Sequence, residues 1–164
     1  MIVLGIDPGT ATTGYGVIEK SQSGVKFIEF GLIETAKVVE SHRRLAFIHN
    51  DIVEKINSFK PDVMAIEKIF FATNAKTAIS VGQAIGVMLL AAAHTGINVA
   101  EYAPGTIKKQ VAGDGRADKK AMQKAVREIL GGQVNDLITK KTHFDNAADA
   151  LAVALCHVYY QPSS

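Results

Sequence analysis

The chain has 164 residues and a mass of 17.5 kDa, room for one domain with a substantial core and too little for two of ordinary size. Hydrophobic residues make up 48% and charged residues 21%, which excludes a disordered or fibrous chain. A net charge of +2 is too small to name a nucleic-acid partner, so the distribution of charge has to decide that question.

Met1-Ile2-Val3-Leu4 enters apolar structure directly, with neither a basic region nor a small-residue cleavage site, so no secretion signal is expected. Ile2–Asp7 is a short apolar run ending at Pro8-Gly9. Thr13–Glu19 is a second run, and Val25–Thr35 is a third after Ser21-Gln22-Ser23-Gly24, the punctuation of an antiparallel meander. The period then changes. From Ser41 to Phe59 the residues Leu45, Ile48, Ile52 and Ile56 recur every three or four positions until Lys60-Pro61 stops them, which predicts an amphipathic helix. Asp62–Glu67 reads as a buried strand. A small-residue helix follows from about Asn74 to Thr95, where Gly82, Ala84 and Gly86 would let another helix or subunit approach closely.

The most apolar part of that helix, Ala84–Ala93, has ten residues, short of the ~18 to 20 a membrane span needs, so no membrane partner is expected and cytoplasmic residence is. Asn98–Tyr102 is a fifth strand, and Pro104 suits the first position of the next helix. Gly113-Asp114-Gly115 makes a turn, Asp118 caps a helix running to Leu130, Gly131–Thr142 reads as a loop, and Asn146–Tyr159 as the last helix. The lone Cys156, inside apolar Leu151–Val158, excludes an intrachain disulfide and reads as a buried free thiol of a reducing compartment. Three strands, alternating helix and strand, and a closing helix predict a single α/β domain over residues 1–164, with a five-stranded mixed sheet.

Acidic residues stand at the ends of these elements: Asp7 ends the first strand, Glu67 the fourth, and Asp149 is expected in the first turn of the last helix. Gathered at one edge of a sheet, such carboxylates suit magnesium, a hard cation that takes oxygen ligands and leaves sites for water and phosphate oxygens. Two such ions ~3.5 to 4 Å apart activate a water and stabilise the leaving oxygen of a phosphodiester. Carboxylates at strand ends also serve as plain solvated caps, so spacing alone leaves both readings open.

Four strings, GIDPG (5–9), AIEKIFF (65–71), EYAPGTIKK (101–109) and AADALAVALCH (147–157), together resemble the RuvC family of Holliday junction resolvases, in order and across essentially the whole chain. GIDPG alone is shared with sugar kinases and actin-like ATPases, which need a second related domain. The resemblance implies an RNase H-like fold with helices on both faces of the sheet, and a homodimer that cuts two strands of four-way junction DNA symmetrically with Mg2+ or Mn2+, two ions per site. It implies a role in DNA recombination and repair beside branch-migration motor proteins. Its acidic site maps to Asp7, Glu67 and Asp149. Its fourth position, three residues before Asp149 and on the same helix face, holds Asn146, where the family has Asp or His. Three explanations stand open. Asn146 is natural and Asp145 or His143 compensates; the register slips so that Asp145 ligates; or Asn146 is a near-isosteric exchange for Asp that inactivates the chain, the reading favoured here.

Between Pro104 and Arg127 seven basic side chains face only Asp114 and Asp118, a local balance of +5 in a chain of +2. A basic segment beside a carboxylate site is the layout of a DNA nuclease, although a solvated helix face has the same composition. By resemblance Lys108 and Lys119 match the basic positions nearest the cut, with Lys109, Lys120 and Arg116 as further DNA-binding candidates. Phe70 matches a stacking aromatic, with Phe71 beside it and Ala72–Lys76 as the loop at the junction centre. A YqgF-like RNA-processing nuclease of the same fold and a junction-binding protein that does not cut are the rival readings.

Overall fold

A computed structural model describes residues 1–68, 74–131, 134 and 141–160, with side chains described from residue 147 onward in the last segment. Five strands form one sheet: β1 (Ile2–Asp7), β2 (Thr12–Ser21), β3 (Gly24–Glu34), β4 (Val63–Glu67) and β5 (Asn98–Tyr102). Their order is β3-β2-β1-β4-β5, with β1 to β3 an antiparallel meander and β4 and β5 joined in parallel beside β1. The mixed sheet expected from the sequence is therefore present. Crossovers between the parallel strands are helical, as such connections require.

On one face lie α1 (Ser41–Phe59) and α2 (Ala75–Thr95), over Leu4, Ile6, Tyr15, Val17, Met64 and Ile66. Ile48, Ile52 and Ile56 of α1 are buried there, the stripe its periodicity predicts. At its C-terminus Lys60 turns into the left-handed region (φ 48°) and its N–H donates to the Ile56 carbonyl, ending the helix one residue before Pro61. The opposite face carries α3 (Pro104–Ala112), α4 (Lys119–Leu130) and α5 (Lys141–Tyr159). Pro104 opens α3, and the Asp118 carboxylate caps α4 by accepting from the Ala121 N–H at 2.8 Å.

One expectation needs correction. The last helix begins at Lys141, not Asn146, which places Asp149 in its third turn rather than its first. The polar run before Asn146 hides this start because it lacks apolar periodicity, while extending a packed helix costs little. Within α2, Ala84 is buried, but a Cβ on Gly82 or Gly86 would meet nothing, so these glycines serve no contact within the described residues. α2 has the length expected from Asn74–Thr95, and by length and composition alone it could cross a membrane. Its Ala84, Met88, Ala91 and Ala92 are instead buried within this domain's second core.

Two glycines let the last helix pack tightly on the sheet. Gly5 of β1 and Gly16 of β2 pair across the sheet, and α5 lies directly on them. A Cβ on Gly5 would collide with the Ala150 carbonyl oxygen and come within 2.8 Å of Ala154, and one on Gly16 would come within 2.7 Å of the Leu151 side chain. Hence α5 is buried almost all round from Ala147 to Cys156, except at Asp149. Cys156 is a buried free thiol whose pKa burial pushes up to about 12, which keeps it protonated and inert.

Candidate active site

Strand parity assembles the acidic site. Side chains two apart on a strand share a face, so Asp7 follows Val3 and Gly5, and Glu67 follows Val63 and Ala65, on the face covered by α5. The parallel register pairs Ile6 with Ile66. Asp7 and Glu67 are the next residues, so they leave adjacent strands about 4.8 Å apart on the same side. α5 then brings in Asp149, one residue before the Ala150 carbonyl that rests on Gly5.

The electrostatics show that the three carboxylates sense one another. Burial pushes Asp7 from 3.8 up to about 7, reinforced by the charges of Glu67 and Asp149 and by a hydrogen bond to Glu67. Burial and the Asp149 charge also raise Glu67, while its bond to Asp7 and the nearby Lys108 ammonium work the other way. Both carboxyls are therefore driven toward sharing a proton, the outcome when two close carboxylates cannot both ionise. Among the described residues no three His, Cys, Asp or Glu side chains stand at closed metal-site spacing. The donor chemistry nonetheless fits a hard cation: oxygen ligands from three elements, too much negative charge in a half-buried place, and a proton that a cation would displace.

These residues open into a cleft of about 250 Å³ lined by Glu67 and Asp149, by Lys108 and Lys119, and by apolar Pro104, Ile107, Met122, Ala152 and Val153. Asp7 is not in the lining and meets the cleft through Glu67. Lys119 Nζ lies 3.8 Å from Asp149 Oδ2, a half-exposed pair worth little to stability and free to re-pair with an incoming phosphate. Of the basic candidates the structure thus brings Lys108 and Lys119 to the carboxylates. Lys109, Arg116 and Lys120 are exposed on α3, the following turn and α4, outside the cleft lining.

Phe70 and Phe71 lie outside the described residues, as do the side chains of His143, Asp145 and Asn146. Of the expected junction loop, Lys76 falls instead in the first turn of α2, where its N–H donates to the capping Asn74 side chain. Sequence reasoning missed the supporting glycines, although Gly5 and Gly16 were visible inside strand patterns, where glycine signals close backbone approach. It also missed Thr13, fully buried near the start of β2, whose hydroxyl donates at 2.7 Å to the carbonyl of Gly9 in the turn after Asp7.

The chain is similar to known proteins across nearly its whole length. The family model described as crossover junction endodeoxyribonuclease RuvC matches residues 3–157. A protein of that name from Moorella thermoacetica is 47% identical over 162 residues, 99% of this chain and 93% of its own. Another from Halothermothrix orenii is 45% identical, over 96% of this chain and 92% of its own. Among solved structures, Thermus thermophilus RuvC in complex with Holliday junction substrate superposes with a TM-score of 0.84 at 30% identity, covering 98% of this chain and 94% of that one.

Proposed function

This chain belongs to the RuvC family of crossover junction endodeoxyribonucleases, and from that premise we propose that it resolves four-way DNA junctions by paired symmetric nicks, with Asp7, Glu67 and Asp149 as its metal-holding carboxylates. The observation that carries this reading is the mutual interaction of those three, from β1, β4 and α5, beside a cleft that Glu67 and Asp149 line together with Lys108 and Lys119.

Asp7, which senses the charges of both Glu67 and Asp149, would be the shared ligand, with Glu67 on one side and Asp149 with position 146 on the other. Two Mg2+ ions, or Mn2+ in their place, would supply an activated water and stabilise the leaving oxygen of the phosphodiester. Lys108 and Lys119 neutralise the scissile phosphate and the charge that develops on it. The apolar floor of Ile107, Met122 and Val153 limits bulk water around the reacting group. Lys109, Arg116 and Lys120 extend the positive surface along the DNA backbone, and Phe70 supplies a base-stacking aromatic. A cut leaving a 3′-hydroxyl and a 5′-phosphate suits ligation. One domain spans residues 1–164, acting in the cytoplasm on junctions that branch-migration motors deliver.

Asn146 is a neutral ligand where a carboxylate would bind a dication more strongly. Asn146→Asp is expected to raise junction nicking in Mg2+ by about tenfold or more, the scale of a metal-affinity change in a ligand shell. Four-way, duplex and RNA–DNA hybrid substrates, each in Mg2+ and in Mn2+, test the whole reading. Paired symmetric nicks confined to the first support it. Preferred cleavage of the hybrid, or tight junction binding with no cleavage even by Asn146→Asp, overturns it, and equal robust nicking by both chains removes the role given to position 146.

Two symmetric cuts need two sites related by a two-fold axis, so the active form is a homodimer. The exposed stripe of Ile79, Gly82, Gly86 and Leu90 on α2 is the surface that fits it. Leu90 is 47% exposed, so Leu90→Glu should leave the fold intact, shift sedimentation toward monomer, and convert paired nicks into single ones. An unchanged dimer would place the interface elsewhere.

A further inference from the structure

A second cleft, of about 50 Å³, lies on the other side of the sheet from the carboxylates, lined by Thr10, Ser41, Arg44, Leu45, Ile48, Ser80 and Gln83. Among the described residues its polar side chains are hydroxyls, an amide and one guanidinium, with no carboxylate. Arg44 is half-buried, and its Nε donates to Thr35 Oγ1 at 2.9 Å. Thr35 Oγ1 in turn donates to the Thr10 carbonyl at 2.5 Å, and Thr10 Oγ1 lies 3.2 Å from Ser80 Oγ. The guanidinium is therefore held by a chain of hydrogen bonds tied into the turn that follows Asp7. Arg43 beside it pairs with Glu40 at 2.8 Å, whereas Arg44 forms no ion pair among the described residues. A partly desolvated guanidinium fixed in a carboxylate-free cleft of hydroxyls favours an oxyanion.

We infer that this cleft is an anion site that holds a backbone phosphate of the junction DNA, on the strand being cut and away from the cut itself. The inference rests on the function proposed above. Size and place favour this occupant. The cleft holds little more than the ~30 Å³ share of one water, enough for phosphate oxygens and too small for a base. Thr10 follows Asp7 by three residues, so it lies at most about 11 Å away along the chain. A strand carries one phosphate per nucleotide, so a neighbouring phosphate of the cut strand falls within that span. A strand whose scissile phosphate reaches the carboxylates thus has another phosphate within reach of Arg44.

The test uses full-length protein with a labelled four-way junction and with duplex, in EDTA, across a salt series. Arg44→Gln should weaken junction binding about tenfold, the scale of one charge-assisted contact, and flatten the slope of log affinity against log salt by about 0.9 for one lost phosphate. Because Arg44 also bonds Thr35, a second variant guards against loss of fold. Ser41→Glu places an anion at the start of α1, where negative charge favours the helix, and fills the cleft with a carboxylate. It should weaken junction binding similarly without lowering the melting temperature. Wild-type binding to the junction with both variants unchanged in affinity and slope overturns the inference alone. Wild-type protein that prefers duplex overturns the functional reading beneath it. Millimolar inorganic phosphate that raises the melting temperature of wild type but not of Arg44→Gln, with junction affinity the same in both, reassigns the cleft to free phosphate and overturns its DNA role.

Discussion

Made in the Asn146→Asp background, Asp7→Asn is expected to abolish junction cleavage, by on the order of 10³-fold or more, while making the metal-free protein more stable at pH 8. Both effects come from the same crowding. Asp7 is pushed from 3.8 up to about 7, chiefly by burial and then by its acidic neighbours, so a folded chain above that pH holds a charge it would release more cheaply unfolded. The linkage has a definite sign. Below about pH 4 both states carry the proton and nothing is lost; as pH rises through 7 the stability conferred by that proton disappears. The penalty at pH 8 is on the order of a few kcal/mol. An asparagine at position 7 can still donate to Glu67, as the protonated carboxyl does, yet never titrates. Its melting temperature in EDTA should exceed that of Asn146→Asp alone by several degrees at pH 8, and the gap should close toward pH 4.5. Catalysis is lost because an amide removes the negative charge that the shared ligand contributes. A variant that cuts at a tenth of the rate of Asn146→Asp alone would show that Asp7 is not that ligand, and a lower melting temperature at pH 8 would show that the carboxylate is not under repulsion. This is the expected exchange between stability and function at an active site.

Gly5→Ala carries the second large effect, and it acts without touching a reacting group. The added methyl would strike the Ala150 carbonyl and the Ala154 backbone nitrogen and Cβ. Neither is the flexible end of a side chain, so α5 must lift or β1 must shift. Overpacking of this kind costs roughly 1 to 3 kcal/mol, and more where backbone is struck. Displacing α5 also withdraws Asp149 from Asp7 and Glu67, so cleavage should fall by about 10²-fold even at temperatures where the variant remains folded. Urea unfolding and junction nicking on the same sample check both halves. A control comes from Gly24→Ser, where the side chain would meet nothing within 4 Å; there any loss reflects only backbone strain at φ 129°, and cleavage by the folded fraction should be unchanged. Full cleavage by folded Gly5→Ala would mean that the helix position is not what aligns the carboxylates.

The elements were legible because periodicity is local. Leu45, Ile48, Ile52 and Ile56 announce α1 wherever the chain goes, and Pro104 and Asp118 mark two helix starts by chemistry that involves only their neighbours. Where local signals ran out, the reading slipped: polar residues hid the start of α5. The basic segment was visible as composition, but composition could not rank Lys108 and Lys119 above Lys109 and Lys120. Adjacent lysines project in different directions from a helix, and only packing decides which faces the cleft.

By itself the sequence determined the order and type of the elements, the family through four motifs in register, and the residue types able to hold a hard cation. Only the tertiary structure decided that these residues meet. Asp7 and Glu67 lie 60 positions apart in sequence, and their proximity depends on a parallel register that keeps both on one face of the sheet. Asp149 joins them because two glycines let a helix rest directly on the strands. The shared proton follows from that meeting, since desolvation and mutual repulsion exist only once distant chain segments have been brought together.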